Sequence, residues 1–304
     1  MDYAITTDAL SKSFGRTLAV HQLSLRVPAG SIFGFLGPNG AGKTTTIRML
    51  LGLIRQTSGT ATVCGRDIDQ QRKEIASLVG AIVEVPCFYP YLTAEENLQA
   101  IALTAGLKLA GAEVSRLLGI TGLTQSKARR VREYSLGMKQ RLGIAAALIG
   151  DPPVLFLDEP TNGLDPEGSR EMRDLLASIK SAGRTIFFSS HLLGEVERIC
   201  TDIAILQSGE VRVQGPVTSL LSEQGVEIRL SSTKRAAALL ALPAPESMPA
   251  GPGWLRVDGT DETIPATLRT LLNAGIDVFE VRAKRVTLEA LFFASTSPGA
   301  GVQQ

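Results

Sequence analysis

Continuous apolar runs and helical spacings alternate along the chain through about residue 215. "SIFGFL", "PVLFLD" and "TIFFSS" lack polar alternation, the pattern of strands buried on both faces in a parallel sheet. "AVHQLSLRVPAG" and "GTATVCGRDI" alternate more nearly every second residue, which predicts a smaller antiparallel layer at one edge. "IAILQSGEVRVQG" predicts a hairpin turning at Ser208 and Gly209. Between residues 86 and 150 no strand pattern appears, and helical spacing dominates from "AEENLQAIALTAGL" to "MKQRLGIAAALIG". The expectation is an α/β domain over 1–220 with a mainly parallel sheet, an antiparallel β edge layer and an inserted helical lobe at about 86–150.

Beyond residue 220 the pattern changes. "VEIRLS", "TKRAAALLA", "WLRVDG", "TIPATLRTLLNAG", "DVFEVR" and "TLEALFFAS" are short strand and helix candidates. They flank "ALPAPESMPAGPG", residues 241–253, which reads as a linker or long loop. Two strand-helix-strand units predict a small C-terminal α+β accessory domain of ferredoxin-like type over 221–296. Residues 297–304 are expected to form a disordered tail.

Composition narrows the class. A chain of 304 residues, 44% hydrophobic, can build two cores. Lys and Arg number 31 against 30 Asp and Glu, so no global field points to nucleic acid or to an anionic membrane surface. Cys64, Cys87 and Cys200 are far apart and form no C-x-x-C pair, as expected of reduced thiols in a cytosolic protein. "MDYAITTDALSKSF" carries no signal segment, and runs such as "IAAALI" fall well short of the roughly 18 residues of a membrane span.

Candidate chemistry begins with residues 37–44, Gly37, Pro38, Asn39, Gly40, Ala41, Gly42, Lys43 and Thr44, which match G-x-x-x-x-G-K-[ST] between a buried strand and a helical run. The glycines let backbone N–H groups point inward, and the helix N-terminus adds roughly half a positive charge. Lys43 would reach the β- and γ-phosphates of a nucleoside triphosphate, Thr44 would ligate Mg²⁺, and Thr45 could bond the α-phosphate. Downstream, "PVLFLDEP" carries Asp158 and Glu159 to the C-terminal end of a strand, the edge where open α/β sheets bind ligands. Asp158 suits the metal's surroundings, and Glu159 can serve as general base toward an attacking water. "TIFFSSH" brings His191 to the end of another buried strand, where it could sense the γ-phosphate. His21 lies in the edge layer and is expected to be structural.

The order "GPNGAGKTT", "EYSLGMKQRLGIA", "VLFLDEPTNGLDP", "SSH" resembles the ATP-binding-cassette ATPases from about residue 5 to 215. The resemblance implies a P-loop NTPase that binds ATP and Mg²⁺. It also implies two such chains paired head to tail, each ATP lying between one phosphate loop and the partner's signature segment. Ser135 and the Gly137 backbone would meet the partner's γ-phosphate; read alone, "YSLGM" is a serine-capped helix. Phe14 takes the place of the aromatic that stacks on adenine, Gly163 and Asp165 that of the segment crossing the dimer interface, and His191 that of the switch histidine. Two departures stand out. Glu84 occupies the place of a glutamine near the metal, and is expected as a metal ligand. Leu136 and Met138 replace a glycine and a glutamine of the signature, which alters contacts near the partner's ribose, where Met138 counts among the nucleotide-binding positions.

These features look like the bacitracin-resistance and lantibiotic-immunity branch of exporters. They imply an ATPase subunit on the cytoplasmic side of the bacterial inner membrane, docked on a separate permease through the lobe around Phe88, Tyr89 and Tyr91. Nucleic acid is not an expected partner, and the membrane is met only through the permease. The alternatives are a soluble cassette ATPase acting on ribosomes or nucleic acid, and a regulatory subunit that binds nucleotide without turnover. The first generally carries paired cassettes or long coiled-coil insertions; here there is one cassette, no heptad run and balanced charge. The second is disfavoured by the presence of both Glu159 and His191.

Overall fold

The computed structural model describes residues 2–84, 86–221, 226–241, 253–257, 263–283 and 287–296. The linker predicted at 241–253 lies almost wholly, and the tail at 297–304 wholly, outside the described residues. Contacts divide the chain into two compact units, Met1–Val217 with Ala294–Gln304, and Thr218–Phe293.

The strands of the first unit are β1 (Tyr3–Phe14), β2 (Thr17–Pro28), β3 (Ile32–Leu36), β4 (Ser58–Val63), β5 (Arg66–Asp67), β6 (Val79–Ile82), β7 (Val154–Asp158), β8 (Thr185–Ser190), β9 (Asp202–Gln207) and β10 (Glu210–Pro216). Its helices are α1 (Lys43–Leu50), α2 (Arg72–Leu78), α3 (Ala94–Thr104), α4 (Gly111–Ile120), α5 (Leu136–Ala147), α6 (Pro166–Ser181) and α7 (Leu193–Ile199), followed by the short α8 (Val217–Leu220). One sheet has the order β10-β9-β3-β8-β7-β6, parallel from β9 to β6 and closed by antiparallel β10. The other, β2-β1-β4-β5, is antiparallel.

Every residue of β3, β7 and β8 is buried, which is why their sequences carry no polar alternation. Phe187 organises this core, its ring centroid 5.7 Å from Phe33, 5.0 Å from Phe35 and 5.4 Å from Phe156. Burial of each such ring contributes about 2–3 kcal/mol. Strand β1 escapes the sequence reading. Ala9 has φ +47° and the pairing with β2 shifts between Thr7 and Leu10, so a bulge breaks the two-residue period on which a strand is recognised. The predicted hairpin is present, with Ser208 and Gly209 both at positive φ between β9 and β10.

Helices α3 to α5 occupy the stretch between β6 and β7. Thr93 and Glu96 form a reciprocal cap on α3, Thr93 N–H donating to Glu96 Oε2 at 2.7 Å and Glu96 N–H to Thr93 Oγ1 at 3.2 Å. The Thr93 backbone N–H, then its hydroxyl, hold the Glu96 carboxyl below the usual range. Buried Tyr134 donates to Ser126 O at 2.7 Å, anchoring the chain just before α5, and burial pushes its phenol up.

The second unit contains β11 (Val226–Leu230), α9 (Thr233–Leu239), β12 (Trp254–Val257), α10 (Ile264–Asn273) and β13 (Val278–Ala283), and α11 (Leu288–Thr296) follows. Among the described residues its sheet is antiparallel with order β12-β11-β13. Val226, Ile228 and Leu230 point to its core, while Glu227 and Arg229 alternate outward. The two strand-helix-strand units seen in the sequence share β12.

Candidate functional site

The loop from Gly37 to Gly42 leaves the end of β3 and enters α1. Gly42 has φ +102°, and a Cβ there would stand 2.6 Å from Ala19 O, so backbone conformation and the nearness of β2 both require glycine. Pro38, Asn39 and Gly40 are exposed, Ala41 is buried, and Thr44 and Thr45 are half-buried. The buried Lys43 ammonium donates to Gly37 O at 2.7 Å and Pro38 O at 3.3 Å.

Two polar connections meet this loop. Thr44 Oγ1 donates to Asp158 Oδ2 at 2.7 Å, while Asp158 Oδ1 accepts from the hydroxyl of Ser189. Ser189 is fully buried and lies opposite Asp158 in the β7–β8 register. Its hydroxyl also accepts the Glu159 N–H at 3.0 Å, alongside its carbonyl at 3.2 Å. In the second connection, Glu159 Oε1 lies 3.5 Å from Lys43 Nζ and Glu159 Oε2 lies 3.1 Å from His191 Nδ1. Glu159 sits at φ +49°, a disfavoured backbone for a side-chain-bearing residue, held here by its two bonds to Ser189. The structure thus gathers Lys43, Thr44, Asp158, Glu159 and His191.

The remaining positions stand apart from this cluster. Phe14 ends β1 with its ring half-exposed and the Lys12 ammonium 4.9 Å from its centroid. Ser135 caps α5, its Oγ accepting the Met138 N–H at 3.2 Å; Gly137 and Met138 are half-buried. Asp165 caps α6 through the Gly168 N–H at 2.9 Å. A Cβ on Gly163 would meet Leu136 at 3.1 Å, so the two segments expected at a dimer interface touch each other. The Glu84 carboxylate accepts from the Arg48 guanidinium. His21 bonds Glu210 through Nδ1 at 2.7 Å, a structural contact.

A family model described as ABC transporter matches residues 20–162. The bacitracin transport ATP-binding protein BcrA of Bacillus licheniformis is 45% identical over 243 residues, 79% of either chain. The chain belongs to the ABC transporter ATP-binding family. The lantibiotic transport ATP-binding protein SrtF of Streptococcus pyogenes is 41% identical over 202 residues, 66% of this chain and 86% of that one. Among solved structures, cbiO1 of Clostridium perfringens, part of the ABC transporter complex cbiONQ, superimposes with a TM-score of 0.66 at 27% identity, covering 72% of this chain and 91% of that one.

As an ABC transporter ATPase subunit the chain binds ATP, and its loop fits that ligand. The buried Lys43 ammonium, held by two carbonyls and 3.5 Å from the Glu159 carboxylate, places positive charge at a helix N-terminus, which suits a polyphosphate. The paired Thr44 hydroxyl and Asp158 carboxylate are hard oxygen donors of the kind Mg²⁺ takes. Sequence reasoning missed Ser189, whose hydroxyl donates to the Asp158 carboxylate and accepts the Glu159 backbone N–H in this ABC subunit. The available signal was a pair of serines closing an otherwise apolar strand.

Proposed function

We propose that the gathered residues hydrolyse ATP and that two chains close around the nucleotide to drive export through a separate permease. The observation that carries this reading is the junction at Glu159, whose carboxylate spans Lys43 and His191 while its neighbour Asp158 binds Thr44. Lys43 and the loop N–H groups bind the β- and γ-phosphates, with Thr45 at the α-phosphate. Thr44 and Asp158 would hold Mg²⁺, which would offset phosphate charge. Glu159 accepts a proton from the attacking water, and His191 stands beside it to contact the γ-phosphate. Half-exposed Phe14 offers its face to adenine. Ser135, Gly137, Met138 and Asp165, none of them bonded to the phosphate loop in their own chain, serve the partner's nucleotide.

A cavity of about 850 Å³ between β6 and the lobe helices is lined by Val83, Pro86, Phe88, Ile101, Gly143 and Ala146 among others. Together with exposed Tyr89 and Tyr91, it suits an apolar helix of a permease, which would hold the chain at the cytoplasmic face of the membrane. Among the described residues no helix is long and apolar enough to cross one. The exported class, by likeness to BcrA and SrtF, is a peptide antibiotic. Glu159→Gln should lower kcat by about 10²–10⁴-fold with ATP affinity retained, the contribution of a general base. An unaffected turnover would refute the assignment.

A further inference from the structure

The sheet of the second unit turns one face to its own core. Val226, Ile228 and Leu230 of β11 and Leu255 and Val257 of β12 pack there with Ala236 and Ala237 of α9 and Leu271 of α10. The opposite face carries two cross-strand rows. Arg256, Glu227 and Arg282 lie opposite one another across the three strands, and so do Trp254, Arg229 and Glu280. Arg282 donates to Glu227 at 2.8 Å with its guanidinium 4.0 Å from the Trp254 ring centroid, and Arg229 lies 3.4 Å from Glu280. Charge alternates along the rows, which end on β13 with opposite signs, positive at Arg282 and negative at Glu280.

Among the described residues β11 is the sole strand neighbour of β13, so the far side of β13 is an edge. The direction of its backbone groups follows from β11. Leu230 N–H donates to Gly253 O, just before β12, whereas Ser231 N–H donates to Asp277 O, just before β13. Successive residues of a strand address alternate neighbours, so Ile228, like Leu230, is turned toward β12. Val281 lies opposite Ile228; the two form a non-hydrogen-bonded pair, and the N–H and C=O of Val281 project from the edge. Its side chain, on the apolar face, is 41% exposed. The extra residue in β13, Phe279, precedes this stretch and leaves residues 280–283 in regular register.

An open edge is a template for another strand, and here the charges select which one. Two copies of β13 can pair antiparallel about a two-fold axis. With Val281 opposite Val281 of the second copy, Glu280 faces Arg282 of the second copy, and each row of alternating charge continues across the join. A slip of two residues, the smallest that keeps the edge N–H and C=O groups matched, sets Glu280 against Glu280 in one direction and Arg282 against Arg282 in the other. Like charges directly opposite disfavour both. We propose that this chain pairs with a second copy of itself through β13, in the register centred on Val281, joining two three-stranded sheets into one. The contact goes beyond ATP-driven closure and needs no nucleotide.

The test uses the full-length protein carrying Cys87→Ser, which removes an exposed thiol. Single cysteines are then added at β13, the protein is oxidised without nucleotide, and disulfide-linked dimers are followed on non-reducing gels. Val281→Cys alters a half-exposed side chain and keeps both charged rows. It should crosslink about 10-fold or more faster than Glu280→Cys or Arg282→Cys, because a hydrogen-bonded pair sets Cα atoms about 5.5 Å apart, within disulfide reach, while diagonal positions stand at about 7–8 Å. Mixing Glu280→Cys chains with Arg282→Cys chains should speed dimer formation over either alone, since those positions face each other in the proposed register. No dimer from Val281→Cys, equal rates at the three positions, faster crosslinking at 280 or 282, or no gain on mixing overturns the proposal.

Discussion

Removing the Ser189 hydroxyl tests the geometry of the site more sharply than removing any residue expected to touch nucleotide. Ser189→Ala deletes one oxygen from a fully buried position and adds no bulk. Asp158 Oδ1 loses its donor while Oδ2 keeps Thr44. The Glu159 N–H keeps the Ser189 carbonyl at 3.2 Å but loses the hydroxyl at 3.0 Å. A hydrogen bond to a charged group is worth about 1.5–3 kcal/mol, and the amide loses little because a second acceptor remains. The expected loss is therefore ~2 kcal/mol. In a unit of this size that is a fall in Tm of about 4–8 °C. If the same bond aims Asp158 and Glu159 during turnover, kcat falls by up to about 30-fold at equal energy. Differential scanning calorimetry without nucleotide and steady-state ATPase assays measure the two effects. A Tm within experimental error of the unaltered protein, with undiminished kcat, would refute the argument that Ser189 holds the Asp158 carboxylate and the Glu159 backbone in place.

Other consequences follow from particular contacts. Phe14→Ala should weaken ATP binding by about 1 kcal/mol, near the low end for an aromatic contact because the ring is half-exposed; equal Kd values in a nucleotide titration would remove Phe14 from the site. The Glu210 carboxyl is held below its usual range, mainly by its bond to His21. Its folded pKa lies under its unfolded one, so this stabilisation is present above the ordinary carboxylate range and disappears as pH falls through the depressed value. His21→Ala should lower Tm near neutrality and flatten its acid limb; superimposable Tm–pH curves would contradict this. For the second unit we propose a role in dimer contact or regulation. Truncation after Val217 should leave ATP binding intact while changing dimerisation or ATPase rate, and unaltered dimerisation, ATPase and transport would end that idea.

What could be read from the chain alone was whatever depends on near neighbours in sequence. Strands β3, β7 and β8 announce themselves because burial on both faces demands apolar residues without interruption. The phosphate loop does so because a backbone cradle requires glycine at set intervals before a helix. Strand β1 was hidden by a bulge, since one extra residue at Ala9 moves later side chains to the opposite face. The accessory unit was legible as alternating strands and helices, but its strand order was not, because pairing partners lie far apart along the chain.

The site divides in the same way. Residue types at 43, 44, 158, 159 and 191 were legible as candidates, each from its own local motif. That Thr44 bonds Asp158, that Ser189 bonds both the Asp158 carboxylate and the Glu159 N–H, and that Glu84 pairs with Arg48 was decided by the fold. Sequence determines which groups are available and on which element each is mounted. Only packing between distant elements sets which charge meets which donor, because those distances depend on strand order and helix placement rather than on the residues that flank each group.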